Sequence, residues 1–113
     1  GGVGEQRLVE QVVDEAIAAL CAEAVGVLAQ MLERTLAYSR ERKQFGVAIA
    51  SFLARRHRLA DCKMQLELGR AMSYYATLKL GEPAEQRRRA ISQAKVQLGR
   101  SMRFVGQECT QIH

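Results

Sequence analysis

Proline occurs once in the 113 residues and tryptophan not at all, and aromatic side chains make up only 5%. With Pro83 as the lone breaker, nothing interrupts long helices on either side of it, and no strand-like alternation competes with them anywhere along the chain. Histidine is almost as scarce. His57 and His113 have no closely spaced Cys or His partner, so no metal-ligand spacing is present and no metal site is expected. Cys21, Cys62 and Cys109 are odd in number and widely separated, which argues against a disulfide framework and reads as three small buried hydrophobes. The longest apolar run falls far short of a membrane span. No basic and apolar leader opens the chain, so a cytoplasmic location is the expectation.

What the chain does contain is ordinary for a helical protein: 48% hydrophobic and 26% charged residues, wrong for a disordered one. Its length fits one helical-bundle domain over 1–113, with Gly1-Gly2-Val3-Gly4 as a loose lead-in. The net charge of +5 is concentrated in Arg40-Glu41-Arg42-Lys43, Arg55-Arg56-His57-Arg58 and Arg87-Arg88-Arg89. Nucleic-acid binding is not expected from them, because Glu41, Asp61, Glu67, Glu82 and Glu85 dilute the clusters and no helix-turn-helix spacing is present. The Arg87–Arg89 run opposes the dipole of a helix start, which points to a local anionic partner or to plain solvent exposure.

Apolar periodicity sets the architecture. Leu8, Val9, Val12, Val13, Ala16, Ile17, Leu20, Ala24, Val27, Leu28, Met31 and Leu32 recur at steps of three and four, predicting one helix from Glu5 to Arg42, about 50 Å long. Gly26 within it costs about 1 kcal/mol relative to Ala, and a close helix crossing would explain it. A second helix is predicted from Ala50 or Ser51, with the serine as cap, to Leu80. Its stripe is Leu59, Cys62, Leu66, Gly69, Ser73, Ala76 and Leu80, rich in small residues that suit a tight seam. Gly81 ends it, and Pro83, flanked by Glu82 and Glu85, starts a third. That helix carries Ile91, Ala94, Leu98, Ser101 or Met102, Val105, Cys109 and Ile112. Short connections force consecutive helices antiparallel, so the fold class is all-α, an up-down-up bundle of three long helices. Such a bundle leaves an open side, for which self-association as a dimer or tetramer is the expected remedy.

Arg42-Lys43-Gln44-Phe45-Gly46 exceeds what a turn needs. Gly46 alone would close the corner, yet Arg42 adds a planar donor fork suited to phosphate oxygens, Gln44 an amide, and Phe45 a large ring where a plain turn would be polar. Phe45 could equally plug the turn end of the bundle.

In these residues the chain resembles the acyl-CoA dehydrogenase family, whose C-terminal all-helical domain carries an Arg-x-Gln/Thr-Phe-Gly loop between its first two long helices. The likeness extends through Tyr38–Gly46, His57–Met64 and Gln107–His113, in family order. It implies flavin adenine dinucleotide (FAD) as cofactor, with Arg42, Gln44 and Phe45 reaching the pyrophosphate and ring region of a neighbouring subunit's flavin. Phe52 resembles an aromatic or histidine position that borders flavin, and a core role suits it as well. Gln111 and Ile112 resemble the adenine-side Gln-x-x-Gly-Gly segment, whose glycines would come after His113.

The same resemblance implies an oxidoreductase of fatty acid metabolism. The reaction is α,β-dehydrogenation of an acyl-CoA thioester, and the electrons pass to an electron-transfer flavoprotein. Family members also possess N-terminal helical and middle β domains, so this chain by itself is expected to be inactive. Several positions depart from the pattern. Leu53 stands where glutamine is common, Ile17 where many members place a substrate-holding arginine, and Ala16 where some carry the catalytic glutamate. Glu15 lies next to it but is turned about 100° around the helix. Most members carry that glutamate beyond the position of His113, so no catalytic residue is assigned. The leading expectation is therefore a C-terminal domain contributing flavin contacts and an oligomer interface; the alternative is a non-catalytic bundle serving oligomerisation.

Overall fold

The computed structural model describes residues 2–43 and 49–112, with the side chains of 2–40 and 50–112. Three helices follow in order, α1 (Val3–Lys43), α2 (Ile49–Leu78) and α3 (Ala84–Ile112), with a 3₁₀ turn at Lys79–Gly81. Among the described residues there is no strand, and the bundle is a rod of 67 × 18 × 17 Å. The all-α, three-helix architecture is the one the periodicity predicts. Val3 and Gly4, read as lead-in, already belong to α1.

The start of α3 follows from local chemistry. The Pro83 carbonyl accepts the backbone N–H of Arg87 at 3.0 Å, so proline stands just outside the first turn, where it has no amide to leave unpaired. Downstream, Ile91, Ala94, Leu98, Val105, Cys109 and Ile112 are buried against Leu59, Cys62, Leu66 and Ala76 of α2. Burial of this kind contributes about 1.5–3 kcal/mol for each fully covered leucine or isoleucine. Ser101, not Met102, takes the core position between them. Its hydroxyl donates to the Gln65 carbonyl of α2 at 2.9 Å and accepts from Gln97 Nε2 at 3.1 Å, which makes a fully buried oxygen tolerable.

Glycine marks the α2–α3 seam and is incidental in α1. A Cβ at Gly69 would lie 3.3 Å from Leu98 Cδ1 and 3.4 Å from the Ser101 hydroxyl, so this small residue permits the helices' close approach. At Gly26 nothing lies within 4 Å, which overturns the expectation of a helix crossing there. Ser51 is likewise no cap, because α2 begins two residues earlier.

The larger correction concerns the face of α1. Leu8, Val9, Val12, Val13, Leu20 and Val27 are exposed, while Asp14, Ala18, Cys21, Val25, Leu28, Leu32 and Thr35 point inward. The predicted stripe holds in the second half, where Leu28 and Leu32 are buried and Ala24 and Met31 pack against the core, as Ile17 does earlier, and otherwise fails in the first half, where α1 is apolar around much of its circumference. The side chosen by the bundle contains an acid. Asp14 Oδ2 accepts from Arg87 Nε of α3 at 2.7 Å, and both side chains are less than a tenth exposed. Arg87 is therefore a buried ion-pair partner, not a solvated charge.

Candidate functional site at the corner end

Antiparallel packing gathers the end of α1, the start of α2 and the end of α3 at one end of the rod. The Arg58–Glu108 pair, 3.8 Å apart, ties α2 to α3 there. Of the residues singled out from sequence, Gln44 and Phe45 lie outside the described residues, as does the side chain of Arg42 in the last turn of α1. Phe52 stands in the first turn of α2, half-buried, with the Arg56 guanidinium 5.7 Å from its ring centroid. At the end of α3 Gln111 is exposed and Ile112 is buried in the core, about 100° apart around the helix.

Two grooves flank the last turns of α1. One, of about 560 Å³, runs between α1 and α2 over Leu32, Leu36, Phe52, Leu59 and Ala60, with Ser39, Arg40, Arg56 and Lys63 around it. The other, of about 590 Å³, lies between α1 and α3 and is lined by Val27, Gln30, Met31, Arg34, Thr35, Gly106, Cys109 and Thr110. Neither lining contains a carboxylate among the described residues. A wall of leucine and phenylalanine edged by three cations suits a ligand that is partly aromatic or apolar and carries negative charge. Lys63 also meets Glu67 at 3.4 Å along its own helix, so Arg40 and Arg56 carry most of that character. Sequence reasoning set Arg40 and Arg56 aside as members of diluted charge clusters and gave Lys63 no role of its own. The missed signal is the absence of any acid in the first turn of α2, where an ordinary helix start would place one.

Beneath the grooves the chemistry is inert. Burial, with the nearby Cys109, Glu108 and Asp61 adding to it, pushes the Cys62 thiol up to about 12. Burial also raises Cys21. Both are packing residues and neither is a nucleophile at neutral pH. No cluster of metal-ligating side chains exists among the described residues. Ala16 is exposed and Ile17 half-buried, and the adjacent Glu15 carboxylate accepts from Gln11 Nε2 at 3.1 Å on the surface of α1. That face lies toward the opposite end of the rod. No helix among the described residues is long and apolar enough to cross a membrane.

Comparison with known proteins gives this arrangement a context. Residues 6–113 match the family described as acyl-CoA dehydrogenase, C-terminal domain. A probable acyl-CoA dehydrogenase, YngJ, of Bacillus subtilis is 47% identical over 53 residues, which is 47% of this chain and 14% of the relative. Probable acyl-CoA dehydrogenase FadE25 of Mycobacterium tuberculosis is 42% identical over 64 residues, 55% of this chain and 16% of the relative. An L-prolyl-[peptidyl-carrier protein] dehydrogenase of Serratia is 46% identical over 68 residues, 58% of this chain and 18% of the relative. The matched segments thus span less than a fifth of these curated relatives. No solved structure gives a significant match.

Proposed function

The chain belongs to the acyl-CoA dehydrogenase family through its C-terminal domain, and from that premise we propose that its corner end holds part of an FAD site. The observation that carries this reading is the α1–α2 groove, with an apolar floor and a cationic edge free of described acids, between the late turns of α1 and the early turns of α2, the two helices that this segment joins in sequence. Arg42 and Arg40 supply guanidinium donors for the diphosphate, Gln44 an amide for a phosphate or ribose oxygen, and Phe45 and Phe52 apolar surface for a ring edge. Gln111 serves the adenine side, while Ile112, buried in the core, fixes the end of α3 that presents it.

When bound, the flavin supplies hydride acceptance in the α,β-dehydrogenation of an acyl thioester. The relatives' names include both acyl-CoA enzymes and one acting on a prolyl group carried by a peptidyl-carrier protein. An acyl thioester is the chemistry they share. This chain's own residues bind and orient; no side chain here is assigned as the base, and the remaining domains of the enzyme complete the pocket. The apolar residues left exposed on α1 and α2 support self-association as the second part of the role.

The test places this chain in the YngJ relative in exchange for the matching segment and measures bound flavin per protomer. Arg42→Ala with Gln44→Ala is expected to weaken flavin retention by about tenfold to a hundredfold, the worth of one or two charge-assisted hydrogen bonds. Unchanged flavin content in a folded double variant would remove the site assignment.

A further inference from the structure

The groove between α2 and α3 on their solvent side is separate from the two beside α1. It is small, about 330 Å³, and is lined by Met72 of α2 and by Ser92, Gln93, Val96, Gln97 and Arg100 of α3. Helical periodicity extends both walls. Leu68, Met72, Tyr75 and Lys79 follow one another along α2 at steps of four, three and four. On α3 the matching line is Arg89, Gln93, Val96, Arg100 and Arg103, at steps of four, three, four and three. Leu68 and Tyr75 are exposed, and Val96 is 56% exposed although the core stripe of its helix is already buried. The floor is fixed from within. Gln97 Nε2 donates to Gln65 Oε1 at 3.3 Å and to the Ser101 hydroxyl at 3.1 Å, so its amide is engaged by the bundle itself.

Charge gives this face its character. No acid occurs from Leu68 to Leu80 or from Gln86 to Gln107. Arg100 and Arg103 make no ion pair among the described residues. Lys79 Nζ stands 5.5 Å from the Tyr75 ring centroid, and Arg89 meets Glu85 at 3.5 Å on open surface. Arg89 and Arg103 are ~21 Å apart along the helix, so no single phosphate or carboxylate reaches both ends of the row. The row calls for several negative charges in line. Between those cations the apolar side chains call for apolar cover, and the concave shape puts the floor out of reach of a flat bilayer.

We propose that the α2–α3 groove docks an acidic amphipathic helix of a partner protein. Its apolar edge lies along Met72, Tyr75 and Val96, and its flanking carboxylates meet Lys79 and Arg89 toward one end and Arg100 and Arg103 toward the other. This proposal is independent of the flavin reading. Phe52, Arg56 and Lys63 line the α1 side of α2, whereas Met72 lines the α3 side, so filling one groove leaves the other open.

Fluorescence anisotropy with a labelled synthetic peptide tests the groove, the probe being about four helical turns long with leucines along one edge and glutamates on either side of them. The 113-residue chain is expected to bind it in the micromolar range. Arg100→Glu with Arg103→Glu should weaken binding at least about tenfold, and Val96→Ser about fivefold, both with helical content unchanged. Arg7→Glu with Arg34→Glu, the same charge change at exposed positions of α1, should bind as the wild type does. Absence of binding to the wild-type chain, or equal weakening in the two charge-matched variants, would overturn the proposal. Equal binding of a peptide of the same composition with its leucines scattered around the helix would overturn it too, since charge alone would then suffice. Two rival occupants are read in the same preparations. Phosphatidylglycerol vesicles that carry down the wild-type chain and not the Arg100 and Arg103 variant would assign the face to lipid, and a change in the chain's own sedimentation on Val96→Ser would assign it to a second copy; either result would overturn the partner helix.

Discussion

At the closed end of the bundle Arg87, Arg88 and Arg89 meet Asp14, Glu10 and Glu85 in turn, while at the corner end Arg34, Arg40 and Arg56 line grooves that contain no described carboxylate. Both ends are rich in arginine. One uses it internally, where a buried pair fixes the register of α1 on α3, and the Gln11 side chain donates to the Leu80 carbonyl at 3.1 Å to seal the turn. The other leaves its cations facing outward over apolar walls. A basic cluster therefore has no meaning until its counter-charges are located, and arginines at the two ends do opposite things.

The sharpest break of that contrast is Asp14→Ala. It strands a buried guanidinium and should cost about 3–5 kcal/mol in chemical denaturation, whereas Asp14→Leu with Arg87→Met should recover most of the loss. Loss of stability in the paired replacement as large as in the single one would show that the pair contributes more than mutual neutralisation.

Acid and base should separate the ends next. Glu10 is held below the usual carboxylate range, chiefly by its hydrogen bond from Arg88. Its contribution is present above the ordinary carboxylate pKa and lost as pH falls through the depressed one. Cys62 behaves inversely: with its thiol pushed up to about 12 from 9.0, its contribution is complete below pH 9 and lost as pH rises toward 12. The slope is on the order of 1.4 kcal/mol per pH unit. Denaturation midpoints should fall less steeply above pH 9 in Cys62→Ala than in the wild type, after subtraction of the cavity cost measured at pH 7. Amide exchange should open first at the start of α1 in acid and around Cys62 in base.

Smaller effects sharpen the picture. Gly26→Ala, on an exposed helical surface with nothing within 4 Å, should raise stability by up to about 1 kcal/mol. Gly69→Ala should gain less or lose stability, because its Cβ must displace Leu98. Smallest of all, Arg40→Gln with Arg56→Gln should change stability by no more than about 0.5 kcal/mol, since both side chains are exposed and Arg56 stacks on Phe52 near the surface.

How much of this was legible in the chain depends on which residues carried it. The helices, their antiparallel order and the α2 and α3 core stripes follow from periodicity, because Gly69, Ser73 and Ser101 keep the pattern even where they are not apolar. The inward face of α1 follows only in its second half, through Leu28 and Leu32. Its apolar residues run around the helix, and the side chosen is decided by Asp14 finding Arg87 across 73 positions, a distance at which local pattern carries no information. At the corner, residue chemistry pointed to Arg42, Gln44 and Phe45, and resemblance supplied the cofactor. The supporting cations Arg40, Arg56 and Lys63 emerge only once α1 and α2 are packed, since they are separate in sequence and folding brings them to one groove.

The most direct measurement sets two charge-matched variants against each other in the YngJ relative bearing this chain: Arg40→Gln with Arg56→Gln at the corner, and Arg88→Gln with Arg89→Gln at the closed end. Both remove two positive charges, so a general charge effect cancels. Flavin bound per protomer should fall in the corner variant and hold at the wild-type level in the other. Equal flavin content in the two would contradict the assignment of the corner end as the anion-binding end of this domain.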